Sequence, residues 1–182
     1  MNIYLIGYRG TGKTSVGKFL AARIGWDFID MDDKLSNQFN TSIRSFVNRF
    51  GWDEFREREL RLIRKIGAST RKVVATGGGI ILKDANVECM QNSGRVVWLN
   101  AAAETIKARL SGDGLTVEMR PALTSEGTLT EVETVLRQRN PRYERGMDFS
   151  VNTDARPISE ICQDIINALE STHSFIFSQK KH

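Results

Sequence analysis

The chain has 182 residues, of which 40% are hydrophobic and 26% charged, and its formal net charge is +4. This length and balance are typical of one globular domain with a buried core, and no apolar run approaches the roughly 20 residues that cross a membrane. Acidic residues interleave with the basic ones, so the excess positive charge predicts small anionic ligands and argues against a nucleic-acid surface.

The cysteines and the N-terminus indicate a compartment. Cys89 and Cys162 lie far apart and lack metal-site spacing, which predicts two free thiols in a reducing cytosol. The N-terminus enters a strand pattern directly, without a basic n-region or a cleavage site. We therefore expect a cytoplasmic protein without a secretory signal.

Apolar strand patterns and amphipathic helix patterns alternate along the chain. In chain order, strands are predicted at residues 2–6, 26–30, 71–75, 95–99 and 149–152. Helices are predicted at residues 14–24, 42–50, 53–66, 84–91, 102–110, 130–138 and 158–169, with a hinge near Gly51. The alternation predicts a single α/β domain, residues 1–169, in which helices cover both faces of a five-stranded parallel sheet.

Residues 7–14, GYRGTGKT, follow the first predicted strand and match the phosphate-binding P-loop at every fixed position. The backbone N–H groups of such a loop and the N-terminus of the next helix bind phosphate oxygens. Lys13 can reach the β- and γ-phosphates, and the Thr14 hydroxyl suits Mg²⁺. A chance glycine turn is the alternative, and the flanking strand and helix argue against it. We predict that the chain binds a nucleoside triphosphate.

Three aspartates follow the second predicted strand. If the chain stays extended, Asp30 and Asp32 project in one direction beside the P-loop, where they could hold Mg²⁺ and an acceptor hydroxyl. The alternative is that they cap the helix that begins near Lys34, and Asp33 is interpreted only as such a cap.

Two arginines and a glycine run predict the chemistry of the acceptor. Glu59 lies three residues after Arg56 on a predicted helix and can orient the guanidinium as a clamp for a carboxylate, although most such pairs lie on surfaces and contribute little. Arg139 shares an apolar helical stripe, where an arginine either extends to solvent or meets an anion in a cleft. Residues 77–79 are glycines after the third strand and present bare backbone. Together they predict an acceptor with a carboxylate and several hydroxyls.

Two segments fall outside the alternation. Residues 111–127 are polar and too long for an ordinary connection, which predicts a lid or, as the alternative, a surface loop. Residues 170–182 form a C-terminal tail whose aromatic side chains either dock on a neighbouring surface or fray with the chain end.

With these motifs in order, the chain resembles shikimate kinase over about residues 1–169. The resemblance rests on the P-loop, Asp30-x-Asp32, Phe55-Arg56-x-x-Glu59, the triple glycine at 77–79, Arg120-Pro121 in the lid, Arg139-Asn-Pro-x-Tyr143, and residues 151–157. The P-loop is shared by many NTPases, whereas the acceptor motifs together are specific. The resemblance implies a three-layer P-loop kinase fold with a lid, and transfer of the γ-phosphate of ATP to the 3-hydroxyl of shikimate on the route to chorismate and the aromatic amino acids.

The resemblance also implies roles for individual residues in a protein that acts on small molecules as a monomer. The catalytic groups would be Asp32, Lys13 and Arg120. ATP would be held by Gly10, Thr11, Gly12, Lys13, Thr14, Ser15, Arg109, Arg120, Arg156 and Pro157. Shikimate would be held by Asp32, Arg56, Gly77, Gly78, Gly79 and Arg139. Mg²⁺ would be held by Thr14 directly and by Asp30 through water.

The sequence departs from the family pattern at three places. The segment between Arg109 and Arg120 is longer than in many members, Trp52 stands where an acidic residue is common, and the tail after residue 169 has no counterpart. Two other functions are alternatives: a P-loop kinase of the gluconate or nucleoside monophosphate type, or a catalytically silent binding relative. The arginine pair with the triple glycine argues against the first, and the presence of every expected polar group argues against the second.

Overall fold

The structure, a computed structural model, describes residues 1–112 and 131–172. The strands in these ranges are β1 (Asn2–Ile6), β2 (Asp27–Asp30), β3 (Lys72–Ala75), β4 (Gly94–Asn100) and β5 (Phe149–Asn152). The α-helices are α1 (Lys13–Ile24), α2 (Met31–Phe39), α3 (Ile43–Gly67), α4 (Asp84–Ser93), α5 (Ala103–Gly112), α6 (Val132–Gly146) and α7 (Ile158–Thr172). A short 3-10 helix, Ile80–Leu82, lies between β3 and α4.

The five strands form one parallel sheet in the order β2-β3-β1-β4-β5. The predicted five-stranded parallel sheet is therefore confirmed. The connection from β1 leads to β2 at one edge, whereas the connection from β3 leads to β4 on the other side of β1. The connections that leave β1 and β3 therefore run in opposite directions across the sheet. Such a reversal opens a crevice at the carboxyl ends of β1 and β3, where open α/β sheets bind ligands. The P-loop follows β1 and the triple glycine follows β3, so both lie at this crevice.

Alternate residues of β1 face opposite layers of the core. Ile3 and Leu5 pack in a cluster with the apolar residues of α1 and α7. Tyr4 and Ile6 pack on the other face with residues of α2, α3, α4 and α6. A smaller third cluster joins Tyr8 of the P-loop to α5 and α6. The sheet and both helical layers therefore hold the P-loop from several sides.

Two predicted features of the backbone have clear outcomes. Gly51 interrupts α3 with φ 82° and ψ 169°, a conformation that is essentially restricted to glycine, so the predicted hinge is confirmed. The predicted end of the sixth helix at residue 138 is wrong, because α6 continues through Pro141 to Gly146. The buried Tyr143 ring stacks on Trp98 with ring centroids 5.7 Å apart. This packing holds the last turns of α6 although proline removes one hydrogen bond.

Most of the predicted lid and tail lies outside the described residues. Residues 111–112 belong to the end of α5, and residues 113–127 are beyond the described range. The last helix extends to Thr172, so the first three residues assigned to the tail are helical. Among the helices of the two described ranges, none is long and apolar enough to cross a membrane.

Candidate active site

The P-loop surrounds a cavity at the carboxyl end of β1. The Lys13 side chain is buried, and its Nζ donates hydrogen bonds to the carbonyl oxygens of Gly7 at 2.8 Å and Tyr8 at 2.7 Å. The Thr11 hydroxyl donates to the Tyr8 carbonyl at 2.7 Å and so holds the loop from inside. The cavity is lined by Arg9, Gly10, Gly12, Lys13, Thr14, Ser15, Asp30, Thr76, Arg109 and Leu110.

Asp30 links the P-loop to the start of α2. Its Oδ2 accepts a hydrogen bond from the Thr14 hydroxyl at 2.7 Å, and its Oδ1 accepts from the backbone N–H of Asp32 at 3.0 Å. Asp30 is therefore the N-cap of α2, and the expectation that Asp33 is the cap is wrong. The condition under which Asp30 and Asp32 would project together is not met, because α2 begins at Met31 and the chain does not stay extended. Asp30 faces the P-loop cavity and Asp32 faces a second cleft.

This second cleft, the acceptor cleft, lies beside the P-loop cavity, and Arg9 lines both. Its lining residues are Tyr8, Arg9, Asp32, Ile43, Trp52, Phe55, Arg56, Glu59, Gly77, Gly78, Gly79 and Arg139. All six residues predicted to hold the acceptor are therefore brought together in one space. They come from α2, α3, α6 and the turn after β3, which are far apart in the sequence.

Arg56 is held by the buried carboxylate of Glu59. The Nη1 of Arg56 donates to Oε2 of Glu59 at 2.7 Å, and the Glu59 side chain is 1% exposed. Burial raises the pKa of Glu59 to about 7, although the neighbouring Arg56 opposes this increase. The guanidinium also lies over the Trp52 ring, 5.1 Å from its centroid. The Arg56–Glu59 pair therefore forms part of the wall of the acceptor cleft and is not an exposed surface pair.

The three glycines leave room for these charged side chains. A Cβ added at Gly79 would overlap the Arg56 guanidinium, and a Cβ at Gly77 would lie 3.0 Å from carboxylate oxygens of both Asp32 and Glu59. The Gly78 carbonyl accepts hydrogen bonds from Nη1 of Arg139 at 3.2 Å and from the Tyr143 hydroxyl at 2.5 Å. The turn after β3 therefore forms a backbone wall of the cleft.

Arg139 lies on the apolar face of α6, as the sequence predicts, with Val132 and Val135 buried on the same helix. Burial lowers the pKa of Arg139, and the positive charge of Arg56 adds to this effect. Two guanidinium groups that repel each other at one end of a cleft favour an anionic ligand between them. The alternative, an arginine that only extends to solvent, does not account for its contact with the Gly78 carbonyl.

Three of the residues predicted to hold ATP, Arg109, Arg156 and Pro157, lie at or beside the loop after β5. The Nη1 of Arg109 donates to the Gly10 carbonyl at 3.1 Å, and its Nη2 donates to the Thr153 carbonyl at 2.6 Å. Arg109 therefore links the P-loop to the loop after β5 at the edge of the P-loop cavity. The Arg156 guanidinium instead donates to Asp164 of α7 at 2.7 Å, and Pro157 is exposed beside it. Arg120 lies outside the described residues.

A buried ion pair beside the P-loop was not predicted. Arg9 is 6% exposed, and its Nη2 donates to Oε1 of Glu131, which is fully buried. The Tyr8 hydroxyl donates to the same oxygen at 3.3 Å. Arg9 lines both the P-loop cavity and the acceptor cleft. An arginine at a variable position of the P-loop was the only signal in the sequence, because its partner lies 122 residues away.

A family model described as shikimate kinase matches residues 9–170 of the chain. The chain belongs to the shikimate kinase family. A shikimate kinase of Syntrophus aciditrophicus is 40% identical over 93% of this chain and 91% of its own length. A shikimate kinase of Nitratidesulfovibrio vulgaris is 39% identical over 90% of this chain and 92% of its own length. The predicted family and the predicted class, an ATP-dependent kinase, are confirmed.

Solved structures of this family superpose closely on the chain. The shikimate kinase from Acinetobacter baumannii in complex with shikimate has a TM-score of 0.86 and 29% identity, covering 94% of this chain and 93% of that one. A gluconokinase from Sinorhizobium meliloti has a TM-score of 0.58 at 21% identity, which shows only a common fold. The comparisons therefore favour the shikimate kinases over the gluconate type.

Proposed function

We propose that this protein transfers the γ-phosphate of ATP to the 3-hydroxyl of shikimate, giving 3-phosphoshikimate and ADP. The observation that carries this proposal is the acceptor cleft, where Asp32, Arg56 and Arg139 face one space beside the P-loop cavity. Because Arg9 lines both cavities, the two spaces adjoin. A phosphate bound by the P-loop and an alcohol bound in the cleft would meet at this junction.

The acceptor cleft matches the groups of a polyhydroxylated carboxylate. Arg56 and Arg139 supply charged donors for the carboxylate, and Glu59 keeps the first of them in one orientation. The bare backbone of residues 77–79 allows a ring with hydroxyls to approach closely. The Asp32 carboxylate also lines the cleft, where it can orient one hydroxyl of the acceptor for phosphate transfer.

The P-loop residues fit a magnesium nucleotide. The Thr14 hydroxyl donates a hydrogen bond to Asp30, so the lone pairs of Thr14 Oγ1 remain for a cation, and both groups supply the hard oxygen ligands that Mg²⁺ prefers. Within the two described ranges, no cluster of three or more His, Cys, Asp or Glu residues could hold a metal alone. This suits an ion held mainly by phosphates and water. When bound, Mg²⁺ would supply positive charge to the β- and γ-phosphate oxygens.

The chain's own groups would then align the reactants and neutralise charge. Lys13, already directed into the loop, would meet the phosphate oxygens, and Arg109 would border the adenine side. Arg56 and Arg139 would fix the acceptor so that its hydroxyl lies in line with the γ-phosphate. Asp32 would orient that hydroxyl and accept its proton late in the transfer. Arg120, which lies outside the described residues, is assigned to the transferring phosphate by the family resemblance alone.

A coupled assay tests the proposal directly. With ATP and Mg²⁺, ADP formation should require shikimate, and the product should be 3-phosphoshikimate. Gluconate and nucleoside monophosphates, offered at the same concentration, should give rates at least about 100-fold lower, because neither presents a carboxylate and ring hydroxyls in this arrangement. A faster rate with either alternative acceptor would reject the proposal, and binding of shikimate without transfer would favour a silent relative.

We further propose a monomer that works in the cytoplasm. The substrate ATP and the free thiols of Cys89 and Cys162 suit a reducing compartment. Light scattering on the purified protein should give the mass of one chain, 20.5 kDa. A mass of twice this value would contradict the monomer.

A further inference from the structure

We propose that Arg9 and Glu131 form a positioning pair that sets the separation between the phosphate-binding loop and α6, the helix that carries Arg139. This inference rests on the proposed function, since it takes the P-loop as the phosphate donor site and Arg139 as part of the acceptor clamp. The pair contributes to the alignment of the two substrates through these elements.

The charged groups of Arg9 and Glu131 are buried, and burial of an ion pair costs free energy unless its geometry is well defined. Their side chains are 6% and 0% exposed, and the Nη2 of Arg9 donates to Oε1 of Glu131. The Tyr8 hydroxyl joins them, because it donates to Glu131 at 3.3 Å and accepts from Nε of Arg9 at 3.3 Å. Buried ion pairs contribute little net stability compared with apolar groups of similar size. Their directional bonds do fix one arrangement of the elements that carry them.

Polar contacts near its start and near its middle link helix α6 to the P-loop and to the turn after β3. Glu131 precedes the helix, and its backbone carbonyl accepts the N–H of Val135 at 2.9 Å. Eight residues further, about 12 Å along the axis, Arg139 donates to the Gly78 carbonyl. Gly78 itself adjoins the P-loop, since a Cβ placed there would lie 3.5 Å from the backbone N of Arg9.

The Arg9–Glu131 pair holds the N-terminal end of α6, whereas the contacts of Arg139 and Tyr143 with Gly78 and Trp98 hold its C-terminal half. Without the ion pair, the C-terminal half of α6 would keep its contacts with Gly78 and Trp98, and its N-terminal end would keep the apolar packing of Val132 and Val135 against Tyr8. Apolar packing is non-directional and resists small rotations less than charged hydrogen bonds do. Phosphoryl transfer needs the reacting atoms about 3–3.5 Å apart, and an error of about 1 Å can reduce the rate by about 100-fold.

The test separates alignment from stability. Arg9→Met and Glu131→Gln each leave one buried charge without its partner, so both should lower the melting temperature. The double variant Arg9→Met/Glu131→Gln removes both charges and keeps an acceptor for the Tyr8 hydroxyl, so its melting temperature should recover. Its kcat should remain reduced by about 10-fold or more, with KM for ATP and for shikimate within about threefold of wild type. Recovery of kcat together with the melting temperature would overturn the proposal.

A second variant changes the separation while both charges remain. Glu131→Asp shortens the carboxylate side chain by one methylene, so α6 must move to keep the pair. We expect a folded enzyme whose kcat is lower by about fivefold or more and which forms more ADP than 3-phosphoshikimate, because a misaligned acceptor lets water compete. Wild-type kcat with full coupling of ADP to product would overturn the positioning role.

An exposed pair nearby provides the matched control. Lys107 of α5 pairs with Glu133, two residues from Glu131, and the two side chains are 36% and 57% exposed. Lys107→Met/Glu133→Gln should therefore keep kcat within about twofold of wild type. A wild-type protein that does not phosphorylate shikimate would overturn the proposed function itself. An active wild type with an equally active Arg9→Met/Glu131→Gln variant would overturn the positioning pair alone.

Discussion

Asp32 stands at the edge of the acceptor cleft in the first turn of α2, and the cap of this helix is Asp30. Asp32→Asn therefore keeps both the helix cap and the shape of the cleft. We expect turnover to fall by about 100-fold or more, because an amide can bond the acceptor hydroxyl but cannot take up its proton with comparable basicity. The measurement is kcat at saturating ATP and shikimate, with the melting temperature recorded on the same sample.

The matched control for this variant is Asp33→Asn. Asp33 is exposed in the same turn of α2, and its backbone N–H donates to Oδ1 of Asp30 at 3.4 Å. The control should keep kcat within about twofold of wild type. If Asp32→Asn also keeps kcat within threefold, the carboxylate orients nothing that limits the rate, and the proton acceptor lies elsewhere.

Glu59 gives the fold a pH dependence whose sign is unusual for a carboxylate. Burial raises its pKa from the ordinary 4.5 to about 7, so the folded state binds this proton more tightly than the unfolded state does. Its contribution to the free energy of unfolding is therefore present below pH 4.5 and is lost as the pH rises to about 7. Arg56, Asp32 and Arg139 are the charged groups that act on it.

Urea unfolding between pH 5 and 8 tests this assignment. The free energy of unfolding of wild type minus that of Glu59→Gln should fall as the pH rises, by at most about 1.4 kcal/mol per pH unit, and should level off above pH 7. A difference that is constant over this range, or that rises with pH, would show that the folded state does not hold the extra proton.

At the scale of elements, the glycines of the turn after β3 shape the acceptor cleft, because they lack side chains that would fill part of it. Gly79 has φ −104°, which alanine adopts without strain, but its Cβ would overlap the end of the Arg56 side chain. Since a flexible side chain can move, Gly79→Ala should fold normally and displace the clamp. We expect KM for shikimate to rise by about 10-fold or more while KM for ATP stays within twofold.

The control for this glycine is Gly112→Ala at the end of α5. Among the described residues, no heavy atom lies within 4 Å of a Cβ placed at Gly112, so this variant should match wild type in both KM values. An unchanged KM for shikimate in Gly79→Ala would mean that Arg56 tolerates a different position, and that the close approach of the glycine backbone does not decide acceptor binding.

The boundaries of elements show where sequence patterns lose their predictive power. The hinge at Gly51 was predictable because only glycine adopts its φ and ψ easily, which is a property of one residue. The continuation of α6 through Pro141 depends on tertiary contacts of Tyr143 with Trp98 and Gly78, which a local pattern does not contain. The direction of Asp32 depends on where α2 begins, and the strand pattern does not show that the helix starts one residue after Asp30.

At the scale of the whole molecule, the sheet order explains why the site was largely predictable. Motifs at the carboxyl ends of parallel strands must converge at one edge, and this rule alone brings Asp30, the P-loop and the triple glycine to a common crevice. This rule predicts which edge of the sheet the residues occupy, and it uses no information about their contacts. It does not find pairs such as Arg9 and Glu131, because their meeting depends on how α6 packs on the loop.

Ligand binding should stabilise the whole fold, and Arg139 separates the two ligands. A ligand that binds only the folded state at 100 times its Kd raises the free energy of unfolding by about 2.7 kcal/mol. Loss of the buried, charge-assisted contact in Arg139→Ala should cost about 2–5 kcal/mol of shikimate binding, which removes most of this stabilisation at the same concentration. The magnesium nucleotide meets the P-loop instead, so its stabilisation should persist.

The measurement is the change in melting temperature on adding shikimate or magnesium ATP, each compared with the same variant without ligand. This comparison cancels any loss of stability that Arg139→Ala causes through its contact with the Gly78 carbonyl. Arg142→Ala is the matched control, because Arg142 lies on the same helix with a 42% exposed side chain. It should keep both shifts. An undiminished shikimate shift in Arg139→Ala would remove Arg139 from the clamp and leave Arg56 to bind the carboxylate alone.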